Sequence, residues 1–503
     1  MNLKLMLEEA SRWYGKKTAL VLDNHRLSYT ELNEISNRVA NALIKMGIRK
    51  GDRVAMLLSN SPEFVTIYFG IVKIGAIAVP LDPKYKVDEL VSLCDNSQPK
   101  ALVTESPFLE PLVPALPRFK YIEQVIELNS KHAGQFLSYQ EMLATSSANR
   151  IEVEPQPEDV AHIAYTSGPA FHPRGVMLSH QGLVTEVVIA GDGFQQTDKD
   201  VAVLFALPLH HAFGLVSILL TSIYRGSTVV MVPGLSIGSL METIVRERGS
   251  IFMGVPFIYA LIVNTGEEVG TRYDLKSLRM CASAGAAMPT KLIERFKKLY
   301  GLDIIDFWGQ TESTAHITCQ SLDGTGKFGS VGKVLPGWDL KIVDDNGKAL
   351  PPNQPGEVIA RGPFMKGYYD NPQATAERIK NGWLYSCDIG KIDEDDYLFL
   401  LASRKKMMII VKGQNIYPSD IEGVLCSHPK VDQATVVGVP DKLRGEIVRA
   451  IINLKEGEVT TEHDIRQFCR QHMADYKLPK QIVFVNSLPE TTASKIRAED
   501  LNK

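Results

Sequence analysis

The stretch Ala164–His180, AYTSGPAFHPRGVMLSH, sets the end of an apolar run against a loop that holds hydroxyls, glycines and one guanidinium. Ala161–Tyr165 reads as a strand, 166–174 as a turn-rich loop, and Ser179 as the cap of a helix that carries Leu183, Val184 and Val187. A strand feeding such a loop can cradle phosphate, because backbone N–H groups, the hydroxyls of Thr166 and Ser167, and Arg174 all donate to phosphate oxygens. Gly168 and Gly175 let the backbone come close. It is not a P-loop, since six residues separate Gly168 from Gly175 and no Gly-Lys-Ser/Thr follows. Pro169, Ala170 and Phe171 also stand where small hydroxyl residues and glycine would serve better. Taken alone, the segment reads as an ordinary surface loop.

Outward from this loop the chain alternates. Leu32, Ile35, Val39, Leu43 and Met46 recur at helical spacing, with Thr30 placed to cap the start and Gly47 to end the run. Arg53–Ser59 reads as a buried strand, Ser61 and Pro62 open a second helix, and Ala76–Val79 forms another strand. Strand, helix and strand in that order imply a mostly parallel sheet with helices on its faces. Val201–Leu207 and Thr228–Val232 continue the pattern, with Ser236–Glu247 helical. From about Pro336 the texture changes to short strands with close turns, which points to a small barrel or antiparallel sheet. The polar run Ser403–Lys406 then reads as a hinge before an α/β tail.

The whole is 503 residues, enough for about three domains. Apolar residues make up 45% and charged residues 22%, an ordinary globular balance, and a formal charge of −3 gives no footing for a nucleic-acid partner or a polybasic membrane anchor. Six single cysteines, with no CxxC pair, signal neither zinc nor disulfides and fit a reducing cytoplasm. Glu8 and Glu9 interrupt any early apolar block, and Phe213–Tyr224 is too short to span a bilayer, so no signal peptide or transmembrane segment is expected. Nothing in the chain indicates an oligomeric state.

Three further stretches carry chemistry. Asp306–Ser313 (DFWGQTES) puts Thr311 and Glu312 after a glycine turn at a strand end, where a hydroxyl can touch phosphate and a carboxylate can hold Mg²⁺. Ser283–Pro289 (SAGAAMP) offers small residues to a flat base. Ser386–Gly390 (SCDIG) offers Asp388 to sugar hydroxyls. Each alone would more often be a solvated turn or a cap.

The ordered set YTSGPAFHPRG, LPLHHAFG, SAGAAMP, DFWGQTE, RGPFMKGYYDNP, SCDIG, SRKKMMIIVKGQNIYP and LPETTASKI resembles the adenylate-forming superfamily of acyl-CoA synthetases, amino-acid adenylation domains and firefly luciferases, most of all its fatty acyl-CoA ligases. The match runs from the SYTELNE helix to Lys495.

The resemblance implies an α/β fold: a large N-terminal AMP-binding domain (1–402) of parallel α/β subdomains plus a small β-barrel-like subdomain, a hinge (403–406) and a small α+β C-terminal mobile domain (407–503). It implies an AMP-forming acid–thiol ligase that uses ATP, Mg²⁺ and CoA to convert a hydrophobic carboxylic acid, fatty in type, to its acyl-CoA. By that likeness Lys495 bridges the acyl carboxylate and the α-phosphate. Thr311 contacts the α-phosphate, Glu312 holds the metal, and Asp388 and Arg404 take the ribose. Gly285, Ala286 and Phe307 lie against the adenine. Thr166, Ser167, Gly168, Arg174 and Gly175 form the phosphate loop, and Lys406 is the pivot that brings the Gly413 loop to the thiol.

His211 matches the residue near the acyl carboxylate, and Phe252–Tyr259 is expected to line the acyl pocket. Ala212 stands where amino-acid-activating relatives place an aspartate, and a buried ammonium without a counter-charge is costly, which disfavours an amino acid. The chain departs from the pattern at Pro169, Ala170, Phe171 and Arg174, at Ser386 and Cys387 before Asp388, and at Ser403 and Ser494 in place of glycine. Two alternatives stay open: a ligase that loads a carrier protein, and a non-catalytic homologue that binds acyl groups or nucleotide.

Overall fold

The structure, a computed structural model, describes residues 1–129, 131, 132, 134–165, 174–269, 273–403, 409–441, 443–455 and 457–485. They fall into two compact units, the first drawn from residues 1–83, 94–166 and 175–404, the second from 84–93, 167–174 and 405–503.

The first unit holds two largely parallel sheets. One runs Gly367–Tyr368, Gly175–Ser179, Val160–Tyr165, Ile77–Pro80, Arg53–Leu57, Ala101–Glu105, Gln124–Leu128, Leu137–Ser138. The other runs Lys333–Val334, Thr318–Cys319, Ile304–Trp308, Met280–Ser283, Ile251–Gly254, Val201–Phe205, Thr228–Val232, Thr18–Leu22, His25–Ser28. Antiparallel pairs occur only towards the edges of each. The central strands are buried along nearly their whole length, as the continuous runs RVAML, VAVLF and TVVMV require when helices cover both faces. A third, antiparallel sheet joins Asp339–Val343, Gly356–Arg361, Trp383–Ile392, Ile379–Lys380 and Leu398–Ser403. This is the small β subdomain expected from the short strands after Pro336.

Local signals account for most helix ends. Ser61 accepts the Phe64 N–H with Pro62 in the first turn, and Ser179 accepts the Gly182 N–H. The start of the Tyr29–Lys45 helix differs from expectation. Ser28, not Thr30, is the cap: its hydroxyl takes the Glu31 N–H while the Glu31 carboxylate takes the Ser28 N–H at 2.8 Å, so two otherwise unpaired donors are satisfied reciprocally. Thr30 lies inside the helix. Gly47, at φ +87°, follows its end. Phe213–Leu220 winds as a π-helix and continues as the α-helix Thr221–Arg225. Among the described residues no helix is long and apolar enough to cross a membrane.

The second unit is α+β. Its sheet contains Gln414–Ile416, Ile409–Val411, Gly445–Leu454, Val431–Asp441 and Gln481–Val485, covered by the helices Pro418–Cys426 and Glu462–His472 through Ile421, Leu425, Ile465 and Cys469. Within this unit the buried Lys477 ammonium lies 2.6 Å from Glu89 and 3.1 Å from Asp420. Desolvation favours the neutral amine there, but the two carboxylates outweigh it and hold the ammonium above its ordinary range. Of the expected hinge, Ser403 ends the strand Leu398–Ser403, and 404–406, with Arg404 and Lys406, lie outside the described residues.

Candidate active site

The segment that follows strand Ile304–Trp308 organises the site. Gly309 is required there, because a Cβ at that position would sit 1.7 Å from the Ala315 carbonyl oxygen, so the returning limb Ala315–His316 can pass against it. The chain then makes a 3₁₀ turn, Thr311–Ser313, and Ser313 closes it by accepting the Gln310 N–H at 2.8 Å. Thr311 and Glu312 are thereby held at the end of a parallel strand.

Gln310 is the centre of the polar network. Its amide nitrogen donates to Asp388 Oδ2 at 2.8 Å and to the Ser386 carbonyl at 2.9 Å, while its oxygen accepts from Arg378 Nη2 at 2.9 Å. Trp308 Nε1 donates to the same Asp388 oxygen at 3.2 Å, and Ser386 Oγ accepts the Asp388 N–H at 3.0 Å. Arg378, nearly buried, also donates to Cys387 Sγ at 2.9 Å and stands 3.7 Å from Glu312 Oε1, which accepts the Tyr368 hydroxyl at 2.7 Å. The two acidic side chains named from sequence, Glu312 and Asp388, are thus joined through Arg378 and Gln310. Cys387 takes φ +62°, a region that costs a side chain about 1–2 kcal/mol and costs glycine nothing. Among the departures noted before Asp388, Cys387 therefore stands at a backbone position that favours glycine.

Sequence reasoning missed Trp308, Gln310 and Arg378. The glutamine and tryptophan were in plain view inside DFWGQTES, but their partners lie 76 to 80 residues away. Asp306 was missed too. Burial pushes its carboxyl up to about 7, against the Met288 and Phe307 N–H groups that favour the charged form. Ser283 pairs in register with Asp306, and beyond Ser283 the loop carrying Gly285, at φ +83° and exposed, and the half-buried Ala286 opens at the same sheet end.

Phe307 is placed differently from expectation. Side chains alternate along a strand, so Phe307 points to the opposite face from Asp306 and Trp308. There it packs against Phe213, Phe194 and His316, with ring centroids 5.2, 5.6 and 5.0 Å away. Its surroundings are an apolar cluster rather than the Asp388 network, and Trp308 is the aromatic residue that meets Asp388.

His211 is exposed just before the π-helix, and its Nδ1 accepts the Phe213 N–H at 3.2 Å. The neutral imidazole therefore carries its proton on Nε2, as a donor suited to a carboxylate oxygen. Ala212 is buried. Phe252 and Tyr259, expected in the acyl pocket, are core residues: Phe252 packs on Tyr259 and Tyr259 on Phe296, and the Tyr259 hydroxyl donates to the Ala282 carbonyl at 3.0 Å.

The other expected site residues divide in two groups. Thr166, Ser167, Gly168, Arg404 and Lys495 lie outside the described residues, as do Pro169, Ala170 and Phe171. Gly175 begins the strand Gly175–Ser179, where its carbonyl accepts the Tyr369 N–H at 2.7 Å. Arg174 belongs to the second unit, as does Gly413, which at φ +80° turns the chain between Ile409–Val411 and Gln414–Ile416.

Residues 7–369 match the family model of AMP-binding enzymes, and residues 420–495 match that of the AMP-binding enzyme C-terminal domain. The chain belongs to this family, the adenylate-forming acyl-CoA ligases. It is 29% identical over 98% of its length to a long-chain-fatty-acid–CoA ligase of Bacillus subtilis, of which 93% is covered. It is 32% identical over 95% of its length to 4-coumarate-CoA ligase 1 of Narcissus pseudonarcissus, with 88% of that protein covered. Among solved structures it matches a double mutant of o-succinylbenzoate CoA synthetase from Bacillus subtilis, bound with a product analogue. That match has a TM-score of 0.88 and 28% identity, over 99% of this chain and 97% of the other. All three are named as CoA ligases or synthetases. They differ in the acid that each is named for.

Proposed function

We propose that this chain activates a hydrophobic carboxylic acid with ATP and passes the acyl group to the thiol of CoA. In the first step a carboxylate oxygen bonds to the α-phosphorus as the bond to pyrophosphate breaks; in the second the thiol sulfur bonds to the acyl carbon as AMP leaves. The observation that carries the reading is the Asp388 carboxylate, fixed by Trp308 and Gln310 beside the Thr311–Ser313 turn. That arrangement puts an oriented acceptor for sugar hydroxyls close to a hydroxyl and a carboxylate suited to the phosphate end of the same nucleotide.

Asp388 and Arg404 then take the ribose, Gly285 and Ala286 the base, and Thr311 the α-phosphate. Thr166, Ser167, Gly168, Arg174 and Gly175 face the β and γ phosphates, and His211 the acyl carboxylate. Lys495 lies between the two anions that must meet, which is electrostatic and positional work. Mg²⁺ is usually bound by one or two carboxylates together with substrate phosphates and water. Glu312, in the turn beside Thr311 at the end of the strand Ile304–Trp308, would be that carboxylate. The ion would supply charge neutralisation at the phosphates. Residues 403–406 serve as the hinge between an N-terminal domain over 1–402 and a mobile domain over 407–503, with the Gly413 loop at the thiol's approach.

The absence of an acidic residue at Ala212 and the rings packed on Phe213, two residues beyond His211, support an uncharged, apolar acyl group. Pyrophosphate release from ATP over a panel of carboxylic acids, with CoA omitted and then restored, tests the reading. Acid-dependent pyrophosphate with thioester formed only when CoA is present is the expected result. No release with any acid would favour a non-catalytic homologue, and adenylation without transfer to CoA would favour a carrier-protein acceptor. Lys495→Ala is expected to reduce adenylation at least about 100-fold while sparing thioester formation from a supplied acyl-adenylate. Equal loss of both half-reactions would remove Lys495 from the role.

A further inference from the structure

The loop that carries His211 follows the strand Val201–Phe205. In the same sheet the parallel strands Met280–Ser283 and Ile304–Trp308 lead into the loop of Gly285 and the turn of Thr311. These three segments therefore leave the sheet at one end, the carboxyl end of its strands, where open α/β sheets bind their ligands. The first of them is strained. Ala206 takes φ +59°, a region that disfavours any side chain, and the chain then runs on with Leu207 and Leu209 buried beyond the last residue of the strand.

What holds this loop comes from the other parallel sheet. Asn60, three residues past the strand Arg53–Leu57, donates from Nδ2 to the Leu207 carbonyl at 2.8 Å and accepts the Leu209 N–H on Oδ1 at 2.8 Å. A carbonyl and an N–H as partners admit only this orientation of the amide, so one side chain supplies both halves of a rung that a neighbouring strand would otherwise provide. Asn60 is itself fixed, since the Glu105 carboxylate accepts the Ser59 N–H and Ser61 caps the helix Pro62–Lys73. A second contact crosses between the same two sheets. Asp82, buried and two residues past the strand Ile77–Pro80, stands 3.7 Å from His210 Nε2. Strain of the kind seen at Ala206 persists only where the surroundings enforce it, and these two contacts do so next to His211.

Resting on the acid-activating role proposed above, in which His211 meets the acyl carboxylate, we propose that Asn60 is a positioning residue for adenylation that acts through His211. The Asp82–His210 contact is a second and weaker brace, because 3.7 Å is beyond hydrogen-bond reach. By tying the loop of one sheet to the other, Asn60 sets where His211 Nε2–H stands relative to the nucleotide loops at the same sheet end. That placement matters because the reacting atoms must come within about 3–3.5 Å, and an error of about 1 Å costs on the order of 100-fold in rate. The groups proposed to take ATP are held by Gln310 and Trp308 and have no bond to Asn60. Loss of Asn60 is therefore felt in the use of the acid and not in the affinity for ATP.

The test is a double-mutant cycle on the full chain, read as acid-dependent pyrophosphate release from ATP. It uses whichever of hexanoic, dodecanoic and 3-phenylpropanoic acid the wild type activates fastest. Asn60→Ala is expected to lower kcat/KM for the acid at least about tenfold while the KM for ATP stays within about threefold. In the His211→Ala background the same change is expected to cost no more than about twofold, because the group it positions is already gone. Asn60→Asp has the same shape and loses only the bond to the Leu207 carbonyl, so it serves in the same cycle if Asn60→Ala does not fold. Losses that multiply in the double variant overturn the inference, and so does a KM for ATP that rises as far as that for the acid; Asn60 would then support the fold and not His211. A His211→Ala variant with unchanged acid kinetics removes His211 from the acyl carboxylate and the inference with it. No pyrophosphate with any acid sinks the underlying reading itself.

Discussion

One face of the strand Ile304–Trp308 carries Asp306 and Trp308, and the other carries Ile305 and Phe307. On the first face polar groups meet polar groups: Trp308 donates to Asp388, and Gln310 just beyond completes the network. On the second face rings meet rings, with Phe194, Phe213 and His316 around Phe307. The two-residue period of a strand is enough to separate them. A five-residue element therefore keeps a polar network and an apolar ring cluster within a single side-chain alternation, and under the function proposed above the polar side is the nucleotide face.

If the faces are separate in energy as well as in space, Phe307→Ala gives the largest effect and gives it in stability. Removing a buried ring from the middle of three others leaves a cavity, and the expected cost is about 3–5 kcal/mol. Urea unfolding measures it, and the KM for ATP of the folded fraction should stay within about threefold of the wild type. A collapse of ATP affinity equal to that of a nucleotide-face variant would show that the strand transmits changes between its faces.

Asp388→Ala strikes the other face and comes next. It removes the acceptor proposed for the ribose hydroxyls, and charge-assisted hydrogen bonds are worth about 1.5–3 kcal/mol each. The KM for ATP should therefore rise on the order of 100-fold, with the ranking of acids unchanged. An altered acid preference in this variant would mean that the Asp388 network also shapes the acyl side.

This contrast also explains what could be read in advance. The loops DFWGQTES, SAGAAMP and SCDIG announced themselves because their chemistry is local: a glycine turn, a hydroxyl, a carboxylate. The parallel α/β subdomains and the short-stranded β sheet were legible for the same reason, since strand and helix periods are written in neighbouring residues. Thr30 shows the limit even there, because two hydroxyl residues lay within one turn and only the reciprocal bond to Glu31 selects Ser28. Arg378 and Glu186 were not legible at all. Arg378 acts through Gln310, 68 residues away, and Glu186 bonds to His316, 130 residues away, and neither distance leaves a mark on spacing. Phe307 was read by its position in a motif, while its role follows from the parity of the strand.

The smallest expected effect sharpens the comparison by asking how dry the nucleotide face is. Asp306 lies on that face, and burial raises its carboxyl to about 7, from an ordinary value near 3.9 in the unfolded chain. Between those two values the folded protein holds a proton that the unfolded chain has released. Stability therefore falls as pH rises from about 4 to about 7, and the slope vanishes above that window. Asp306→Asn has nothing to titrate. The stability of the variant relative to the wild type should rise by about 1 kcal/mol between pH 6 and pH 7, and stay level from pH 8 upward. Thermal or urea unfolding of both proteins at matched pH measures the gap. A gap that does not change between pH 5 and pH 8 would mean that Asp306 is ionised in the folded state at ordinary cost, and that water reaches the polar face of the strand as freely as it reaches a surface carboxylate.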